Sequence, residues 1–267
     1  MKVRTGTLDI GYDERGDAES PAVVFLHGFP HNRKLWAPQL GALATSAGCR
    51  CLAPDLRGFG ESSVEPPYSM DQYADDLASF LDAVGADRTV VIGLSMGGYI
   101  AFAFWRRHRS RVRALVLADT RAGADQEDGK LRRLEMIEMA RSRGSEAVAD
   151  AMLTGMTGKT TRERQPGLLI SVRAMLASAP VAGVVGALEA MITRPDSTPT
   201  LATIDVPVLV VVGEEDTLTP PKESQLLKNK IHDSRLELIP GAGHVSNIER
   251  PSAFNFVVND FLRVLEL

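Results

Sequence analysis

Several stretches of this chain are apolar without alternation, the pattern of strands covered on both faces. Ala22-Val23-Val24-Phe25-Leu26 is the clearest, Arg50–Ala53 and Val90–Ile92 read as further buried strands, and Ala114–Ala118, Val206–Val212 and Leu236–Ile239 continue the series of strands. Val3–Ile10 and Tyr12–Arg15, punctuated by Gly11 and Gly16, predict a short opening hairpin. Between the strands the apolar period changes to that of helices. Ser69-x-x-Gln72 forms a capping box ahead of a stripe of Tyr73, Leu77, Phe80, Leu81 and Val84, closed by Gly85. Tyr99 to Trp105 is apolar enough for a buried helix. A last helix begins at Pro251, with Phe254, Val257, Val258, Phe261, Leu262 and Leu265 down one side. Alternating strands and helices imply a mostly parallel sheet with helices on both faces.

From about Arg121 to Pro199 that rhythm breaks. Helical patterns over Leu131–Ala140, Ala147–Met156, Leu168–Ala177 and Val181–Ile192 follow one another with no strand between them. Six of the nine methionines fall here, and no aromatic residue occurs between Trp105 and Phe254. The expected organisation is a core of residues 1–120 and 200–267 carrying a helical insertion, 121–199. An insertion packed by Leu, Ala and Met is soft and adaptable.

At 267 residues the chain can bury a large core without metal or disulfide staples. A net charge of -4 with 24% charged residues describes an ordinary surface and gives no reason to expect a nucleic-acid partner. The basic run Arg106-Arg107-His108-Arg109 suits a helix C-terminus instead. Cys49 and Cys51, two apart on one strand, point the same way, which is poor geometry for a disulfide and too few ligands for zinc. No signal-like apolar core opens the chain and no apolar run is long enough to span a bilayer, so the expectation is a cytoplasmic protein with no membrane partner. Self-association as a homo-oligomer is left open.

Chemistry enters at Gly93-Leu94-Ser95-Met96-Gly97, between a buried strand and a buried helix. By chance G-x-S-x-G arises in roughly one chain in ten of this size, so the flanking strand and helix carry the weight. Such a turn lifts the serine hydroxyl clear of the sheet and aims a helix N-terminus at whatever the oxygen attacks. Serine needs a base and the base needs an orienting acid. Of five histidines, His244 in Pro240-Gly241-Ala242-Gly243-His244 directly follows the last strand, at the edge of the sheet where functional groups collect. Among the acids of Gly213-Glu214-Glu215-Asp216, Asp216 stands deepest in its turn, with Asp119 as the alternative position. The order Ser95, Asp216, His244 is that of nucleophile-elbow hydrolases. Backbone N–H groups of Met96 and of Phe29, in the loop after Leu26, are placed to receive an oxyanion.

Taken together, His27-Gly28-Phe29, Asp55-Leu56-Arg57-Gly58-Phe59-Gly60-Glu61-Ser62, Gly93-Leu94-Ser95-Met96-Gly97-Gly98, Gly213-Glu214-Glu215-Asp216 and Gly241-Ala242-Gly243-His244 resemble the motifs of the α/β-hydrolase superfamily, in order and over essentially the whole chain. Leu-Ser-Met-Gly-Gly and the short helical insertion are similar to its enol-lactonase, carboxylesterase and cofactor-free perhydrolase members. The resemblance implies an eight-stranded, mostly parallel sheet with an all-helical cap. It implies Ser95, Asp216 and His244 as triad, Phe29 and Met96 as oxyanion donors, and neither cofactor nor metal. Haloalkane dehalogenases and epoxide hydrolases carry aspartate where this chain has Ser95, and prolyl aminopeptidases carry tryptophan at the position of Met96. The expected activity is hydrolysis of a small carboxylic ester or lactone, with enol-lactone hydrolysis or perhydrolysis as the enzymatic alternatives and a non-catalytic ligand receptor as the other. Phe29, Met96, Trp36, Val245 and methionines of the insertion, Met136 among them, are the expected pocket walls.

Overall fold

In the computed structural model, which describes residues 1–265, eight strands form one sheet. They are β1 (Lys2–Thr5), β2 (Leu8–Arg15), β3 (Ala22–Leu26), β4 (Arg50–Pro54), β5 (Thr89–Leu94), β6 (Val112–Ala118), β7 (Val208–Gly213) and β8 (Ser234–Ile239). Their spatial order is 1-2-4-3-5-6-7-8, parallel from β4 to β8 and antiparallel only at β1–β2 and β2–β4. The opening hairpin turns earlier than the sequence suggests, pairing Val3 with Ile10 and Thr5 with Leu8. Leu8, Ile10 and Tyr12 are all buried, so one alternating pattern runs straight through Gly11 and makes a single strand of 8–15.

The period of two within the buried strands splits the core into two layers. Val24 and Leu26 of β3 pack with Tyr73, Leu77 and Phe80 of α2 (Met70–Ala83, after α1 at Ala37–Ala47) and with Ile100 and Phe104 of α3 (Met96–His108). Val23 and Phe25 pack on the opposite face with Leu40 and Leu43 of α1 and with Phe254, Val258 and Phe261 from the last helix. Cys49 and Cys51 lie buried on that second face as free thiols, sulfurs 3.6 Å apart. Ser69 caps α2 by accepting the Gln72 N–H at 3.0 Å, but the Gln72 amide turns to Asp76 rather than back to the cap, so half of the capping box forms.

Between β6 and β7 run five helices and, among the described residues, no strand: α4 (Glu127–Met156), α5 (Lys159–Arg164), α6 (Pro166–Ala177), α7 (Val181–Ile192) and α8 (Thr198–Leu201). The break expected between Ala140 and Ala147 falls at Gly144, whose non-helical φ of 78° and ψ of 177° divide α4 into two helical halves across a kink. After β7 come α9 (Pro221–Lys230), α10 (Ser246–Glu249) and α11 (Pro251–Val264). No single helix among the described residues is long and apolar enough to cross a membrane.

Candidate active site

Parallel strands end on the same edge of the sheet, so the segments after β3, β5, β6, β7 and β8 converge there. They bring Phe29, Ser95, Asp119, Asp216 and His244 respectively. Ser95 sits between β5 and α3 with φ 56° and ψ -113°, a backbone region that side-chain-bearing residues rarely occupy. The flanking glycines make this turn possible by close approach. A Cβ on Gly93 would lie 2.4 Å from the Gly97 carbonyl oxygen, and one on Gly97 would lie 2.2 Å from that of Leu26. The G-x-S-x-G spacing is therefore a steric requirement of packing α3 directly onto the ends of β3 and β5.

His244 Nε2 lies 2.8 Å from Ser95 Oγ, and its Nδ1 lies 2.8 Å from Asp216 Oδ2. Asp216 is fixed in turn. Its Oδ1 accepts the Leu218 and Thr219 N–H groups at 2.8 and 3.0 Å, and its Oδ2 accepts the Thr219 hydroxyl at 2.7 Å. With Nδ1–H committed to Asp216, the neutral imidazole presents Nε2 as an acceptor toward the serine hydroxyl. Burial pushes the Asp216 carboxyl up, but the His244 charge and the bonds from His244 and Thr219 outweigh it and hold it below the usual carboxylate range. Burial likewise pushes His244 down, and the charge and hydrogen bond of Asp216 more than reverse this, leaving the imidazole above its ordinary value.

Asp119 does not reach the imidazole in this arrangement. Held at φ 45°, its Oδ1 accepts the Gly213 N–H at 2.8 Å and its Oδ2 the Ser246 hydroxyl at 2.5 Å, tying β7 to the segment after His244. Burial, with the Asp216 charge adding to it, drives the Asp119 carboxyl well above the usual range. Two neighbouring acids thus divide: one stays ionised beside His244, the other is pushed toward its neutral form.

His27 is structural. Its Nε2 accepts the Leu56 N–H at 3.0 Å and its Nδ1–H donates to the Gly28 carbonyl at 2.8 Å, pinning the loop that carries Phe29. Arg33 and Asp55 form a buried ion pair behind the same loop, and Arg57 grips Asp76 with two nitrogens at 2.7 and 2.6 Å. The Asp55–Ser62 motif therefore braces the site from outside. The Met96 N–H opens α3, where a helix leaves its first donors unpaired, and among the described residues neither it nor the Phe29 N–H meets a backbone acceptor.

A cavity of about 420 Å³ opens over Ser95 and His244. Phe29 and Met136 line it as expected, with Met152, Met156 and Met191. Trp36 and Val245 do not, and the expectation for both is corrected here. Trp36 ends a 3-10 turn that points into the opposite core layer, where it meets Phe25 and Phe254 at ring separations of 5.2 and 6.1 Å. Val245 is fully buried in that same layer, turned away from the cavity that His244 faces. The Met96 side chain is also fully buried, leaving only its backbone for the site. What the sequence reading missed is the polar wall: Arg121, Asp125, Arg132, Arg133 and Tyr99. A signal existed, because Gly129, Arg132, Arg133 and Met136 fall at helical spacing on one face of α4. Among the described residues no group of three or more His, Cys, Asp or Glu could hold a metal ion.

The same fold recurs in known proteins. The solved thermophilic esterase from Thermogutta terrifontis, with malate bound, superposes at a TM-score of 0.93 with 35% identity, covering 100% of this chain and 99% of that one. The enol-lactonase from Burkholderia xenovorans LB400 superposes at 0.91 with 30% identity over 98% and 99% of the two chains. The 3-oxoadipate enol-lactonase 2 of Acinetobacter baylyi is 28% identical over 255 residues, 95% of this chain and 93% of its own. The model of the alpha/beta hydrolase fold matches residues 21–251, from the start of β3 to the start of α11, and so takes in the elbow, the acid turn and the histidine loop together. The chain belongs to the α/β-hydrolase fold family.

Proposed function

We propose that the protein is a serine hydrolase of small carboxylic esters or lactones, working through an acyl-enzyme with Ser95 as nucleophile, His244 as base and Asp216 as its orienting acid. The observation that carries this reading is the unbroken hydrogen-bonded line Asp216–His244–Ser95, with both links at 2.8 Å. As Ser95 Oγ adds to the substrate carbonyl carbon, its proton passes to His244 Nε2, and Asp216 balances the imidazolium. The carbonyl oxygen becomes an oxyanion received by the Met96 and Phe29 N–H groups, each worth about 3 kcal/mol in the transition state. Collapse expels the alkoxide oxygen, which takes the proton from His244, and leaves Ser95 acylated. Water then adds to the acyl carbon, giving its proton to His244, and the second collapse returns that proton to Ser95 and frees the acid. With a lactone, the alcohol and the acid are two ends of one product.

The names of the relatives favour lactones, and enol-lactones in particular, as one branch of this reading: both an A. baylyi and a B. xenovorans relative are described as enol-lactonases. We place the chemistry in the core and substrate enclosure in the helical segment 121–199, which acts as a cap. The test is multiple turnover of an aryl acetate, an enol-lactone and, with peroxide added, a carboxylic acid, each repeated with Ser95→Ala. Loss of all turnover in the folded variant supports the reading. Turnover retained by Ser95→Ala, or none in the native protein on any ester or lactone, contradicts it, the second result pointing to a ligand receptor.

A further inference from the structure

Of the cavity's charged lining, three groups are guanidiniums, Arg121, Arg132 and Arg133, and only one is a carboxylate, Asp125. That carboxylate is already saturated. Arg121 Nη2 and Arg133 Nε both bond it, and Arg194, buried behind the wall, adds Nη1 at 2.8 Å and Nη2 at 3.1 Å. Arg194 also lies 4.2 Å over the Tyr99 ring, which fixes the cluster to α3. Burial pushes Asp125 up, and the bonds from Arg194 and Arg133 overturn this, so the acid stays ionised as the anchor of the cluster.

Among the described residues the donors that Arg132 and Arg133 have left over pair with no acid, while Arg121 also has the Glu223 charge near it. Arg133 spends only Nε on Asp125; Arg121 gives one terminal nitrogen to Asp125 and also interacts with Tyr99, with its Nε buried and unpartnered. Arg132 is exposed and, among the described residues, makes no ion pair or hydrogen bond. Around them the walls are apolar: Phe29, Met136, Met152, Met156, Met191 and Leu218. Guanidinium donors that open onto a cavity with such walls and lack an acid partner are free to take up an incoming anion. Guanidinium forks match planar carboxylates, and Asp125 shows that this cluster already receives one.

We infer that the substrate carries a free carboxylate in addition to its ester or lactone group, and that Arg132 and Arg133, with Arg121, bind it. This rests on the hydrolase reading for the identity of the second group, but the anion site itself can be tested without turnover. The experiment is calorimetric titration of the native protein with glutarate, with uncharged glutaramide, and with inorganic phosphate, alongside inhibition of aryl acetate turnover by the same three. Glutarate should bind at least tenfold more tightly than glutaramide and than phosphate, and should compete with the ester. Arg132→Gln, whose side chain holds nothing else in place, should weaken glutarate severalfold, and Arg132→Gln with Arg133→Gln at least tenfold. Arg141→Gln, an exposed arginine paired with Glu189 on the insertion, should leave the glutarate affinity within twofold. Glutaramide binding as well as glutarate, or glutarate binding unaffected by the double variant, overturns the inference. Phosphate binding as tightly as glutarate overturns the carboxylate assignment. Glutarate bound as described by a protein that turns over no ester would instead strike the hydrolase reading alone.

Discussion

The two halves of the cavity over Ser95 and His244 are built on different principles. On the core side, each side chain is held by short bonds just beyond the end of a strand: Asp216 by two N–H groups and a hydroxyl, His244 by Asp216, Ser95 by the elbow itself. On the side of the helical insertion, long side chains reach in from α4 and the segment after β6, held mainly by one another through Asp125. The first arrangement suits bond-making, which tolerates little displacement. The second suits recognition, since methionines and long arginines can readjust to a ligand. The division implies that substitutions on the core side should act on kcat and those on the insertion on KM.

The strongest challenge to that division compares the two acids. Asp216→Asn should lower kcat by roughly three to four orders of magnitude, because the wrong tautomer is then favoured and the imidazolium loses its counter-charge. Asp119→Asn should cost less than about tenfold in kcat, with its loss appearing as about 1–2 kcal/mol of stability from the bonds to Gly213 and Ser246. Equal kinetic losses in two equally stable variants would erase the distinction between them.

Next in size is the acid limb of the pH profile. His244 must be neutral to accept the Ser95 proton, and its pKa is raised above 6.5 by Asp216. Activity should therefore already be falling as pH drops toward 6.5, and the limb should move to lower pH in the residual activity of Asp216→Asn, where the stabilising charge is gone. A profile flat to pH 4 contradicts the assignment of the base.

Glu249 joins the two regions and should show an intermediate signature. Buried after the histidine loop, it accepts the Gly243 and Gly158 N–H groups at 2.8 Å each and the Val245 N–H at 3.3 Å. Glu249→Gln replaces a charged acceptor of three donors and should cost about 1.5–3 kcal/mol of stability, with kcat and KM both disturbed severalfold. A change in KM alone would mean that it serves only the insertion.

The smallest effect is expected at Gly144. Alanine there must adopt φ 78° and ψ 177°, at a cost of about 1–3 kcal/mol. Because the strain lies within the insertion, between the α4 residues that line the cavity on either side of it, KM should rise while kcat stays within about twofold. A fall in kcat would tie the bend of α4 to the chemistry.

This division also explains what could be read from the sequence. Strands buried on both faces have no choice but to be apolar, so β3 through β7 announce themselves, and the glycines at 93 and 97 are dictated by sterics that leave a fixed spacing. The order of serine, acid and histidine follows from the order of the strands. Trp36 and Val245 were misplaced because nearness in sequence to loop residues says nothing about which face of the sheet a side chain takes; both fell into the layer under α1 and α11. The arginine wall went unread for a related reason. Arg132 and Arg133 look like the solvated face of an exposed helix, and only the packing of α4 over the strand ends turns that face toward Ser95. Glu249 was invisible because its partners are backbone groups, which carry no residue signature.

The central claim is that Ser95 becomes covalently acylated during turnover. Rapid acid quench of the protein with a slowly hydrolysed aryl ester, followed by mass spectrometry of the intact chain and of the peptide containing Ser95, tests it most directly. The account predicts a mass increase equal to one acyl group, located on Ser95, formed at the rate of the initial burst and absent in Ser95→Ala. Steady turnover with no adduct on Ser95, or an adduct on another residue that accumulates at the catalytic rate, would contradict it.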